Sequence, residues 1–155
     1  MKFTVCSLLL AASTALAGPT IFNRSNSLKI NEMRASTSQG GSATMHFVLT
    51  DPNYPDDTPS DCNLNWPYGS NPDQNSRCNN GEYYIRFPNG ARDIGYFTLE
   101  LERVSGPVTV KGQALLSDNA NGDTPGTKWI CEQEQDPTAG VIKRCSYNGV
   151  LEIEV

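Results

Sequence analysis

Apolar residues recur at every second position in several short runs of this 155-residue chain. Met45, Phe47 and Leu49 share one parity, and so do Tyr83, Ile85 and Phe87. Phe97, Leu99 and Leu101 alternate with Thr98, Glu100 and Glu102, the cleanest run of all. Successive strand side chains point to opposite faces, so each run predicts a strand with one face on a core and the other toward solvent. Leu28 and Ile30 open a further strand, and Val108, Val110, Ala114 and Leu116 keep one parity across Gly112. Pro107 is expected to start that strand, because proline cannot donate inside a ladder. The last two strands run from about Val141 to Val155. No stretch longer than a turn or two has apolar residues at helical spacing. About seven short strands with turns between them predict an all-β domain, an antiparallel barrel or sandwich.

Turn chemistry supports the same reading. Pro88-Asn89-Gly90 supplies a turn after the Tyr83 run. Between the last two strands, a two-residue Asn148-Gly149 turn would put Leu151 and Ile153 on the face of Ser146 and Arg144. A three-residue loop with Gly149 left-handed puts Cys145, Leu151, Ile153, Val141 and Val155 on one face. That hairpin is the expected one, since a one-residue slip would expose the whole apolar set. Residues 51–80 and 118–127 are rich in Asp, Asn, Pro and Gly, lack alternation, and read as turns.

The ends add a compartment. Lys2, the apolar run from Val5 to Leu10 and the small-residue site Ala15-Leu16-Ala17 have the layout of a signal peptide over residues 1–17. The remainder, 18–155, is expected to be a single secreted domain, with no segment apolar enough to insert in a membrane. Cys6 leaves with the signal, so Cys62, Cys78, Cys131 and Cys145 remain, an even number suited to two disulfides. No CxxC or CxxH spacing suggests zinc. Without Lys2 the chain holds 11 basic residues against 17 acidic ones, a net charge of −6. That balance, with no basic cluster, argues against nucleic acid as a partner.

Candidate chemistry is sparse. His46, the single histidine, lies on a strand opposite Met45 and Phe47 and cannot make a triad alone. The loop from Asp118 to Asp123 has Ala120 where a calcium loop needs an oxygen ligand, and Trp129 where it needs a bidentate glutamate. Asp51, Asp56, Asp57 and Asp61 read as solvated turn aspartates. The pairs Glu100 with Glu102 and Glu152 with Glu154 stand on an outward strand face, where a glycosidase acid would not sit. No catalytic residue, metal ligand or cofactor is therefore expected. Asn23-Arg24-Ser25 is a glycosylation sequon. Trp66 and Tyr68, in Trp66-Pro67-Tyr68, fall inside the loop that a Cys62–Cys78 bond would close, and aromatic residues on a rigid exposed loop suit recognition.

A signal peptide, a strand ending in Thr50-Asp51-Pro52, then Cys62, Trp66, Cys78, Trp129-Ile130-Cys131, Cys145 and a terminal apolar strand form a spacing pattern. In it the chain, over Leu28 to Val155, resembles the fungal small secreted proteins typified by the major allergen of Alternaria (the AA1-like family). The resemblance implies an antiparallel barrel and the pairing Cys62–Cys78 and Cys131–Cys145, which closes local loops of about 15 residues. It also implies a secreted, non-enzymatic, effector- or allergen-like protein that binds host extracellular proteins or small phenolics. Members with a covalent dimer carry an extra cysteine near the mature N-terminus; none stands here, so a disulfide-linked dimer is not expected. The alternatives are a carbohydrate-binding or cell-wall module using Trp66 and Tyr68 as a sugar platform, and, further off, a small secreted hydrolase.

Overall fold

The structure, a computed structural model, describes residues 25–107, 109–118, 128–138 and 140–155. The expected signal peptide, the sequon at Asn23, Val108 and the loop at 119–127 lie outside the described residues. Within them the chain is all β, with no helix. The strands are β1 (Ser27–Ser38), β2 (Ser42–Thr50), β3 (Ser60–Pro67), β4 (Tyr83–Arg86), β5 (Tyr96–Arg103), β6 (Lys111–Ser117), β7 (Trp129–Asp136), β8 (Gly140–Tyr147) and β9 (Leu151–Glu154). All pairings are antiparallel. A six-stranded sheet runs β3-β2-β1-β8-β7, with β9 also on β1; a three-stranded sheet runs β4-β5-β6.

The alternating runs behave as their parity dictates. Met45, Phe47 and Leu49 of β2, Tyr83 and Ile85 of β4, and Phe97, Leu99 and Leu101 of β5 are all buried. The two sheets are not closed into a barrel; they face one another across a shared core, as in a sandwich. A line of aromatic contacts crosses that core from sheet to sheet. Trp66 of β3 meets Phe87 at 6.3 Å between ring centres, Phe87 meets Phe97 of β5 at 5.7 Å, and Phe97 meets Trp129 of β7 edge-on at 5.9 Å. At one side β6 crosses close to β9. A Cβ on Gly112 would run into the Glu154 carbonyl and lie 2.7 Å from Ile153 Cγ2, so only glycine permits the approach.

Two of the nine strands arise where the sequence reads as turn or carries no pattern. In β3, Ser60, Cys62, Leu64 and Trp66 are buried and alternate with exposed Asp61, Asn63, Asn65 and Pro67. The period was present, but prolines and asparagines around it carry the composition of a loop. In β7 only Trp129 is fully buried, and from Glu132 onward the strand is polar on both faces, so no alternation marks it. Strand β6 begins at Lys111, not at Pro107; Val110 is buried ahead of it and its carbonyl receives the Arg103 N–H at 2.8 Å.

The terminal hairpin does not form. Strands β8 and β9 both lie along β1, with Ala35 opposite Cys145 and Ile30 opposite Leu151. Gly149 has the positive φ expected of it, 105°, yet residues 148–150 form a break in one long partner of β1. The cause is β1 itself. It bends at a bulge between Asn31 and Arg34, where Glu32 has φ 54°, and thereby offers a full-length ladder to both segments. Cys145, Leu151 and Ile153 are still buried on one side, whereas Val141 at the far end is exposed.

Candidate binding face

The outward residues of the six-stranded sheet fall into register across five strands. Asn63 of β3 stands opposite His46 of β2, His46 opposite Arg34 of β1, Arg34 opposite Ser146 of β8, and Ser146 opposite Ile130 of β7. The next row is Asn65, Thr44, Ser36, Arg144 and Glu132. All of these but Asn65 line a groove of about 620 Å³. Its placement follows from the β1 bulge, which restores outward parity at Arg34 after the buried Met33.

The side chains there are partly tied to one another. His46 Nδ1 lies 3.0 Å from Asn63 Oδ1, and its Nε2 lies 4.0 Å from Asp61 Oδ1. Ser36 Oγ and Thr44 Oγ1 are 3.0 Å apart. Arg144 is ion-paired with Glu134. The Arg34 side chain makes no hydrogen bond or ion pair among the described residues. Ile130 leaves 53% of its surface exposed at the β7 end. Both edge strands of the face are pinned from beneath: Cys62–Cys78 holds β3 to the following loop, and Cys131–Cys145 joins β7 to β8 directly across the ladder. The implied cysteine pairing is therefore the one present.

Other expected site residues are placed differently. Trp66 is 4% exposed and packs in the core, so it does not belong to an exposed loop: at its position on β3 the even residues face inward. Tyr68, just beyond the strand, is exposed and lines a separate cleft of about 240 Å³ with Arg92, Asp93 and Lys143. The two aromatic residues do not form one platform. Tyr84 is flanked by the guanidinium groups of Arg77 and Arg86, 4.3 and 4.5 Å from its ring centre, and Tyr54 carries Arg103 at 3.5 Å.

The carboxylates are engaged as well. Asp51 is fully buried, not solvated; its Oδ2 accepts the Tyr83 hydroxyl at 2.9 Å and its Oδ1 accepts the Asn53 N–H at 2.8 Å. Asp57 pairs with Arg103 at 2.5 Å. Glu100 and Glu102 are half-buried, not open to solvent, because Arg86 from β4 and Lys111 from β6 close over them. The slight burial of Glu102 would raise its pKa, but Arg86 and Lys111 hold it below the usual carboxylate value. At the other end of the sandwich Lys143 binds Asp93 at 2.8 Å and Asp118 at 3.4 Å. Among the described residues no group of three or more His, Cys, Asp or Glu is placed to hold a metal ion.

No binding role for Arg34, Ser146 or Ile130 was legible in the sequence. Nothing local distinguishes them; only the register of five strands sets them side by side. Comparison of the chain with protein-family models, with curated proteins and with solved structures finds no match.

Proposed function

We propose that the chain is a secreted binding protein without a catalytic role, which meets a host extracellular protein or small ligand across the outer face of its six-stranded sheet. The observation that carries this reading is the groove of about 620 Å³ along the row from Asn63 to Ile130. Its volume lies within the usual range of small-molecule sites, about 300–1,000 Å³. Two further features support it. Both edge strands are fixed by disulfides, which lowers the ordering cost of binding. Arg86 and Lys111 hold the Glu102 carboxyl of β5 below the usual carboxylate value, which works against a general acid there.

An effector- or allergen-like role on a plant host is the setting that the resemblance to the fungal small secreted proteins implies. Two disulfides, with no helix among the described residues long and apolar enough to cross a membrane, are consistent with an extracellular protein. The sugar-platform reading loses its main support with the burial of Trp66.

The test is affinity capture from plant extracellular fluid on the immobilised chain from residue 18. Three forms are compared: wild type, a blocked-face variant (Ser36→Tyr with Ser146→Tyr), and a control on the opposite sheet (Gln113→Tyr). Wild type and control should retain the same partners and the blocked variant should lose them at unchanged melting temperature. Retention by the blocked variant, or no selective capture by wild type, overturns the proposal.

A further inference from the structure

Resting on that reading of the face, we infer that its groove takes a small organic carboxylate, received by the Arg34 guanidinium with the apolar body laid toward Ile130. Among the described arginines only Arg34 and Arg92 have no side-chain hydrogen bond or ion pair, and of the two Arg34 alone lines the groove. Arg86, Arg103 and Arg144 each ion-pair with a neighbouring carboxylate, and Arg77 donates to the Gly81 carbonyl and the Tyr84 hydroxyl. Arg34 has no such partner among the described residues, although it stands in the middle strand of the sheet face. A guanidinium presents parallel N–H donors that match the two oxygens of a carboxylate.

The surroundings favour the same ligand. Ser146 and Ser36 beside Arg34 are neutral hydroxyls able to donate to an anion. The carboxylate that lines the groove, Glu132, stands in the neighbouring row opposite Arg144, which is itself paired with Glu134, so the anion is received on the Arg34 side and not beside Glu132. A chain of net charge −5 repels anions at long range. Selection of an anion therefore has to come from contact with Arg34, within the screening length of about 8 Å at physiological salt. Ile130 lies two strands from Arg34 in the same row, about 10 Å at the usual strand spacing. One aromatic ring or a short alkyl chain, with its carboxylate, bridges that distance.

The experiment titrates isotope-labelled protein with phenylacetate, with its neutral isostere phenylacetamide, and with sodium sulfate, following backbone amide shifts. Phenylacetate should move the amides of Arg34, His46, Ser146 and Ile130 saturably, and bind at least about tenfold more tightly than the amide, as a charge-assisted contact predicts. Arg34→Gln should bring the acid down to the affinity of the amide, while Arg92→Gln, at the other cleft, leaves it unchanged. Equal binding of acid and amide at these residues refutes the carboxylate assignment and leaves the face standing as a binding surface. Sulfate binding as tightly as phenylacetate refutes the organic ligand in favour of a bare anion. No saturable shift with any probe overturns the inference outright, and the capture experiment then decides the wider reading by itself.

Discussion

The two tryptophans form a matched pair. Trp66 and Trp129 both lie in the core, 4% and 1% exposed, and each packs against a phenylalanine of the line Phe87–Phe97. They differ at one atom. Trp129 Nε1 donates to the Ile94 carbonyl at 2.8 Å, whereas Trp66 Nε1 is buried with no acceptor among the described residues. Replacing either by phenylalanine removes the same atoms and leaves a comparable cavity, so the packing loss nearly cancels between the variants. Trp129→Phe also strands the Ile94 carbonyl, at about 1–3 kcal/mol, while Trp66→Phe removes an unsatisfied donor and recovers a similar amount. Trp129→Phe should therefore cost at least about 2 kcal/mol more than Trp66→Phe.

Urea unfolding followed by far-ultraviolet circular dichroism, with the disulfides intact, reads the difference without relying on the fluorescence of the residue removed. A gap of that size separates the two midpoints by about 1 M urea. Equal midpoints, or a lower one for Trp66→Phe, would refute the reasoning. Either result would mean that the Trp66 indole is satisfied in solution.

Gly112→Ala should destabilise by about 1–3 kcal/mol, because its Cβ meets the Glu154 backbone of β9; an unchanged melting temperature would mean that β6 and β9 do not approach so closely. Burial alone would raise the Asp93 pKa, but Lys143 and the Gly95 N–H hold it below its ordinary 3.8. Its contribution is thus full well above pH 3.8 and lost as the pH falls below that value, so the stability gap between wild type and Asp93→Asn should close on acidification. Burial first, then the hydrogen bond and charge of Asp51, push the Tyr83 phenol above its ordinary 10.0. That contribution is present below pH 10 and lost as the pH rises toward the folded value, so Tyr83→Phe should remove the latest component of the phenolate absorbance titration. Replacing Cys131 and Cys145 by serine opens a link of sequence separation 14. It should cost about 3 kcal/mol and, by hydrogen exchange, expose the β7 amides before those of β2.

The parts of this fold legible in the chain are those whose apolar residues alternate without interruption. Strands β2, β4 and β5 follow directly from Met45 to Leu49, Tyr83 to Phe87 and Phe97 to Leu101, since each run has a single face that can be buried. Strand β3 has the same period in Cys62, Leu64 and Trp66, hidden by the Asp and Asn residues between them. Giving weight to composition over period there also put Trp66 on the surface. The terminal segments failed for another reason. Asn148-Gly149 satisfies the local rule for a turn, but no local rule knows that a bent β1 will accept both flanking segments. The face with Arg34 is less local still, a product of four separate registers.

Strand β7 shows why the disulfides bear on the face as well as on stability. An edge strand is held by one ladder and by whatever it buries, and after Trp129 this one buries little: Glu132, Gln133, Glu134 and Gln135 are all exposed. Such a strand frays readily, because its ordered backbone is offset by few apolar contacts. The Cys131–Cys145 bond removes that freedom at the residue next to Ile130. On the opposite edge Cys62 does the same next to Asn63. Each bond thus fixes one end of the row that runs through His46, Arg34 and Ser146. A bond needed for global stability alone could stand anywhere that closes a loop of similar length. Lying beneath both ends of one outward row, the two bonds hold in place the face that we propose as a contact surface.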